Sequence, residues 1–164
     1  MRPALIILAA GLLLCSADTV SAKEAKPEAS LSIFPRQTQV KAGQEVSIKV
    51  QVHKVKDLFG APFYLVYDPH LLEAVKVSEG DFLKKDGKKT AFLKSVKKEK
   101  GRIIVGLTRL GPVGGVDGEG TLAVVVFKAL RAGRSKVSFD DVDFKDSHQS
   151  SLAVRIDTGS IDVK

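Results

Sequence analysis

The chain has 164 residues, a net charge of +7 at pH 7, one cysteine and no tryptophan. This length suits a single domain, and the lone cysteine excludes an internal disulfide framework. The basic balance favours acidic partners or anionic surfaces without implying nucleic acid, for which no recognisable motif is present.

Arg2 gives a positive start, and Ala4 to Leu14 form an apolar run of 11 residues, too short to span a bilayer. Val20, Ser21 and Ala22 offer small residues for a signal peptidase. Residues 1–22 are therefore read as a secretory signal peptide. The exported chain, whether periplasmic, cell-surface or extracellular, starts at Lys23. It keeps 142 residues and the same net charge, because the signal carries one cation, Arg2, and one anion, Asp18. Cys15 follows three leucines and opens a lipoprotein reading, against which the bulk of Leu14 stands.

Residues 23–30 are charged, contain Pro27 and show no core-forming pattern, so they are read as a tether. From residue 31 to 164 the period is two. Leu31–Phe34 ends at Pro35, and Thr38–Val40 ends at Ala42-Gly43. Val46, Ile48, Val50 and Val52 alternate with Glu45, Ser47, Lys49, Gln51 and His53, the pattern of a half-buried strand. Ala61–Tyr67 closes at Asp68-Pro69, where proline cannot continue a ladder and the aspartate can close the turn with its own carboxylate. In that strand Phe63, Leu65 and Tyr67 share the inward register, while Tyr64 and Val66 share the outward one with Pro62.

Pro69–Glu73 offers one helical turn. Ala74–Val77 ends at Glu79-Gly80, and Thr90–Val96 and Arg102–Leu110 flank a hairpin turn at residues 98–101. The glycine-rich stretch 111–120 lacks the Gly-Lys-Ser/Thr ending of a phosphate loop and is read as a mobile loop at the rim. Leu122–Leu130 is nearly all apolar, which predicts cover on both faces. Lys136–Phe139, Leu152–Ile156 and Ser160–Val163 follow. About nine to ten short strands without a helix make an all-β protein, a β-sandwich.

Several phrases, in this order and spacing, resemble the cohesin domain, the receptor half of the cohesin–dockerin pair. They are Val40 to Val50 with its glycine turn, Leu58-Phe-Gly60, Tyr67-Asp68-Pro69, and Gly80-Asp-Phe-Leu83. Gly118 to Ala129, Gly133 to Val137 and Gly159 to Val163 follow. The resemblance implies a jelly-roll topology and a non-enzymatic module that grips a protein partner, dockerin-like or an acidic envelope protein, through one sheet face. Calcium, in a dockerin-like complex, would belong to the partner, and no cofactor is expected. The expected partner-binding residues are Pro62, Tyr64 and Val66, with Lys94, Lys97, Lys98 and Arg102 from the neighbouring strands. Cellulosomal cohesins often carry polar side chains on this register, so a standard cellulosomal dockerin is a less natural fit. Two other readings stay open. One is a carbohydrate-binding module of polysaccharide breakdown, disfavoured by two tyrosines and no tryptophan. The other is a structural part of an envelope or secretion assembly.

The remaining motifs favour bland roles. The basic run Lys84, Lys85, Lys88, Lys89, Lys94, Lys97, Lys98, Lys100 and Arg102 reads first as a solvated hairpin whose lysines protect a sheet edge. Docking to an anionic surface is its functional alternative. Asp140, Asp141, Asp143 and Asp146 could hold calcium but miss the EF-hand spacing, so turn and strand-end roles are favoured. His53, His70 and His148 lack zinc spacing, and no nucleophile motif is present.

Overall fold

The computed structural model describes residues 28–164. The expected signal segment (residues 1–22) and most of the expected tether lie outside the described residues. Among the described residues twelve strands are present, slightly more than nine to ten: β1 (Ser30–Phe34), β2 (Gln37–Val40), β3 (Glu45–Gly60), β4 (Phe63–Val66), β5 (Leu72–Glu79), β6 (Thr90–Lys97), β7 (Arg102–Arg109), β8 (Val116–Ala129), β9 (Gly133–Asp140), β10 (Lys145–Asp146), β11 (Arg155–Ile156) and β12 (Gly159–Val163). Among the described residues no helix is long and apolar enough to cross a membrane.

One layer of the sandwich runs β11-β1-β3-β8-β5, and the other runs β6-β7-β4-β9-β12-β2. The C-terminal end of β3 crosses between them, pairing Gly60 with Thr108 of β7 and receiving β10. This is the expected all-β jelly-roll sandwich. Its core is filled by alternating inward side chains, including Ile48, Val50, Phe63, Leu65, Leu122, Val125 and Phe127. Tyr67 meets Phe127 edge-on at 4.9 Å between ring centres, a favourable aromatic geometry. Burial pushes the Tyr67 hydroxyl's pKa up.

Several local expectations need correction. β3 is longer than its alternation suggests, because Lys54 and Asp57 take left-handed backbone (φ 53° and 51°) and the register against β8 shifts on either side of Val55. Such bulges insert a residue and break period two. The glycine-rich stretch is a loop only to Gly115. Val116 to Gly120 belong to β8, and Gly120 lies against the Phe82 ring, where a Cβ would come within 2.7 Å. One side of β8 is fully buried, but Val124 and Val126 on the other are only half-buried. Pro69 to Leu71 form a turn rather than a helix, closed by the backbone N–H of His70 donating to Asp68 Oδ1 at 2.8 Å.

The Gly80-Asp-Phe-Leu phrase forms a plug. A single 3-10 turn at Phe82–Lys84 drives Phe82 and Leu83 into the core. Arg109 of β7, only 3% exposed, fastens it by donating to both Asp86 carboxylate oxygens at 2.6 and 3.0 Å and to the Leu83 carbonyl. Such a bidentate pair is strong and directional. Hydrogen bonding from Arg109 holds the Asp86 carboxyl down from 3.8 to about 2. A depressed carboxylate adds stability that is fully present above its unfolded value and is lost as pH falls through its folded value. Asp86→Asn should therefore be less stable than wild type at pH 6, and the two should converge as pH drops from 4 towards 2. Denaturant melts across that range would show it, and curves that stay parallel would contradict it.

Candidate functional site

The outer face of the β6-β7-β4-β9 sheet is the candidate site. Register fixes its composition. Tyr64 opposes Ile104 on one side and Asp140 on the other, Val66 opposes Arg102 and Ser138, and Ile104 opposes Ser95. Leu93 opposes Gly106, and Arg102 opposes Lys97. Because side chains alternate, the buried partners Phe63, Leu65, Ile103, Val105 and Leu107 face the core. Tyr64, Val66, Ile104 and Gly106 then look outward, half-buried.

The centre is apolar. Leu93 is 73% exposed, and it borders an open depression of about 470 Å³ with Pro62, Tyr64, Ser95, Ile104 and Gly106. Arg102 straps the next row. Its guanidinium lies 5.3 Å from the Tyr64 ring centre and pairs with Asp140 at 2.9 Å across β4. This cation–π contact and ion pair fix the orientation of Tyr64. Asp141 and Asp143 edge the depression beside Pro62, and Lys97 lies in the row at the opposite end.

Five of the seven expected site residues therefore come together: Pro62, Tyr64, Val66, Lys97 and Arg102. Lys94 borders the same depression, but its amine is directed away from the face. It occupies the inward register of β6 and donates to the Val77 carbonyl of β5. Lys98 also turns away, pairing with Glu73 at 2.6 Å beside Tyr67 and Leu72. That pairing lowers the Glu73 pKa and raises that of Lys98. Leu93, Ile104 and Gly106 were missed. For Ile104 and Gly106 the signal was the alternation of Arg102–Leu110, in which both take the same side as Arg102.

The basic run is less free than its sequence suggests. Lys84 pairs with Glu79, and Lys85 donates to the Asp117 carbonyl. With Lys94, Lys98 and Arg102, five of its nine members have a partner within the domain. The acidic cluster takes turn and strand-end roles: Asp140 caps Asp141, Asp143 pairs with Lys145, and Asp146 accepts from the backbone of His148 and Ser150. Asp146 also lies near His148 and Asp57. The Asp57 carboxyl is held below the usual range, first by the Ser147 hydroxyl and then by backbone N–H groups of Gly115 and Ser147.

A family model described as the cohesin domain matches residues 32–163. Cell surface glycoprotein 1 of Acetivibrio thermocellus is 25% identical over 142 residues, covering 72% of this chain and 6% of that protein. The chain thus spans a small fraction of that curated relative. The fold is similar to a non-cellulosomal cohesin from the archaeon Archaeoglobus fulgidus, with TM-score 0.71, 17% identity, and coverage of 84% of this chain and 91% of that one. It is also similar to the sixth cohesin of Acetivibrio cellulolyticus scaffoldin B, solved in complex with a mutant Cel5 dockerin. There the TM-score is 0.68 at 20% identity, over 84% of this chain and 99% of that one.

Proposed function

Because the chain belongs to the cohesin domain family, we propose that it is an exported, non-enzymatic module that binds a dockerin-like protein through the outer face of β6-β7-β4-β9. The observation that carries this reading is the apolar centre of that face. Leu93, Ile104 and Val66 stand on one open surface, and a leucine exposed to this degree in mid-strand gains free energy when a partner covers it. Arg102, Lys97 and Asp141 form a polar rim around it, the usual anatomy of a protein interface. Tyr67 is in the core, so Tyr64 is the one tyrosine on the face. A planar aromatic platform for sugars is therefore not assembled there.

Dockerin modules titrated calorimetrically at 0.15 M and 1 M salt test the reading. An apolar centre predicts that most of the affinity survives at 1 M, where screening acts within about 3 Å. Binding lost at 1 M salt would move the function to the unpaired lysines of the β6–β7 turn. Absence of binding to any module would remove the dockerin-like partner.

A further inference from the structure

Gly106 is a glycine that the fold does not require. A Cβ there would meet only the Leu93 Cβ at 3.7 Å, an ordinary contact, and its backbone is outside the left-handed region. At Gly80, Gly101, Gly115 and Gly120, by contrast, a Cβ would come within 2.1 to 2.7 Å of other atoms. A mid-strand glycine loses backbone entropy and packs nothing, so one that geometry does not force marks a place where another group approaches closely. Gly106 lies at the middle of the open face, with Leu93 opposite it on β6 and Pro62, Tyr64 and Ile104 around the same depression.

We infer that Gly106 is the floor of a socket that seats one large apolar side chain, branched aliphatic or aromatic, from a helix of the protein partner. Asp141 at the rim takes a cation from the same helix. This deepens the proposed function and rests on it. Pro62, Leu93, Ile104 and Tyr64 give the socket apolar walls, while Lys94, Ser95, Asp141 and Asp143 line the same depression. An apolar side chain fills the space against the walls, and a charged tip set there would be desolvated. A shallow apolar groove suits the ridge of an amphipathic helix. The rim charge is available: Asp143 is engaged by Lys145 at 2.9 Å, whereas Asp141 is exposed and has no ion-pair partner among the described residues.

The probe is a dockerin module that the wild-type protein binds. Gly106→Ala and Gly106→Val fill the socket from its floor and leave its walls in place. Both should melt at or above the wild-type temperature, because a strand gains a better strand former. Affinity should fall slightly for alanine and about tenfold or more for valine. Asp141→Lys should slow association, more at low salt than at high. Unchanged affinity of Gly106→Val would overturn the socket, and loss of binding by Leu93→Asp in the same experiment would show that the face reading stands without it. A lower melting temperature for Gly106→Ala would show that the glycine serves folding and would overturn it equally. Unchanged association of Asp141→Lys would remove the cation. If no dockerin bound the wild type, the socket would fall with the reading beneath it.

Discussion

Leu93→Asp should leave the domain folded and lower partner affinity by at least a hundredfold, about 3 kcal/mol. The two halves of this expectation have separate causes. Leu93 is 73% exposed, so folding buries little of it, and substitutions at such sites move stability by about 0.5 kcal/mol or less. Binding would bury it. Covering a leucine contributes roughly 1.5 to 3 kcal/mol, and an aspartate in its place adds a carboxylate desolvated against Ile104 and Pro62. Tyr64→Ala should cost less, about 2 kcal/mol or thirtyfold, because Arg102 already covers part of the ring. Melting curves and titrations on the same samples separate the effects. A folded Leu93→Asp protein with wild-type affinity would place the interface elsewhere.

Gly80→Ala should do the opposite, damaging folding first. A Cβ at this position would lie 2.1 Å from the Thr121 carbonyl oxygen and 2.9 Å from the Leu122 carbonyl carbon. The backbone N–H of Gly80 donates to the Leu122 carbonyl at 2.8 Å, so the approach cannot relax without breaking that bond. Leu122 is itself the extra residue where the β3–β8 register shifts, and it is fully buried. The clash is backbone against backbone, and no side chain can swing aside. A loss of about 4 kcal/mol is expected, a large part of the 5 to 15 kcal/mol that holds a domain together. In a thermal melt that is a fall of roughly 12 °C or more. A Gly80→Ala protein melting within a few degrees of wild type would mean that the close approach is not a constraint.

Much of the fold was legible because alternation is strict where a strand has one wet face. Phe63, Leu65 and Tyr67 lie inside, and Tyr64 and Val66 outside, as their parity requires. Alternation failed where the backbone broke it. Lys54 and Asp57 bulge out of β3 in left-handed conformations, so the strand seemed to stop at His53. Residues 116–120 looked like loop because glycine recurs there. Gly120 is required by the Phe82 ring, 38 positions earlier in the chain, a contact that no local pattern contains.

The candidate site was legible on β4 and only partly on β6. In Thr90–Lys97 apolar residues occupy both parities, Phe92 and Val96 on one and Ala91 and Leu93 on the other. Sequence alone could not say whether Leu93 or Lys94 faced out. The pairing with β7 decides it, sending Lys94 to β5 and leaving Leu93 exposed. Charge was misleading for a related reason. Lys98 and Arg102 look free in a one-dimensional run, but their acidic partners Glu73 and Asp140 come from distant strands, β5 and β9.

The most direct test of a binding face on β6-β7-β4-β9 is a methyl and amide chemical-shift map of the protein with and without a bound dockerin module. The largest changes are expected at Leu93, Ile104, Val66 and Gly106, with Val75 of β5 and Ile156 of β11 unmoved. Changes centred on β5 or β11, or confined to the lysines of residues 97–100, would contradict it.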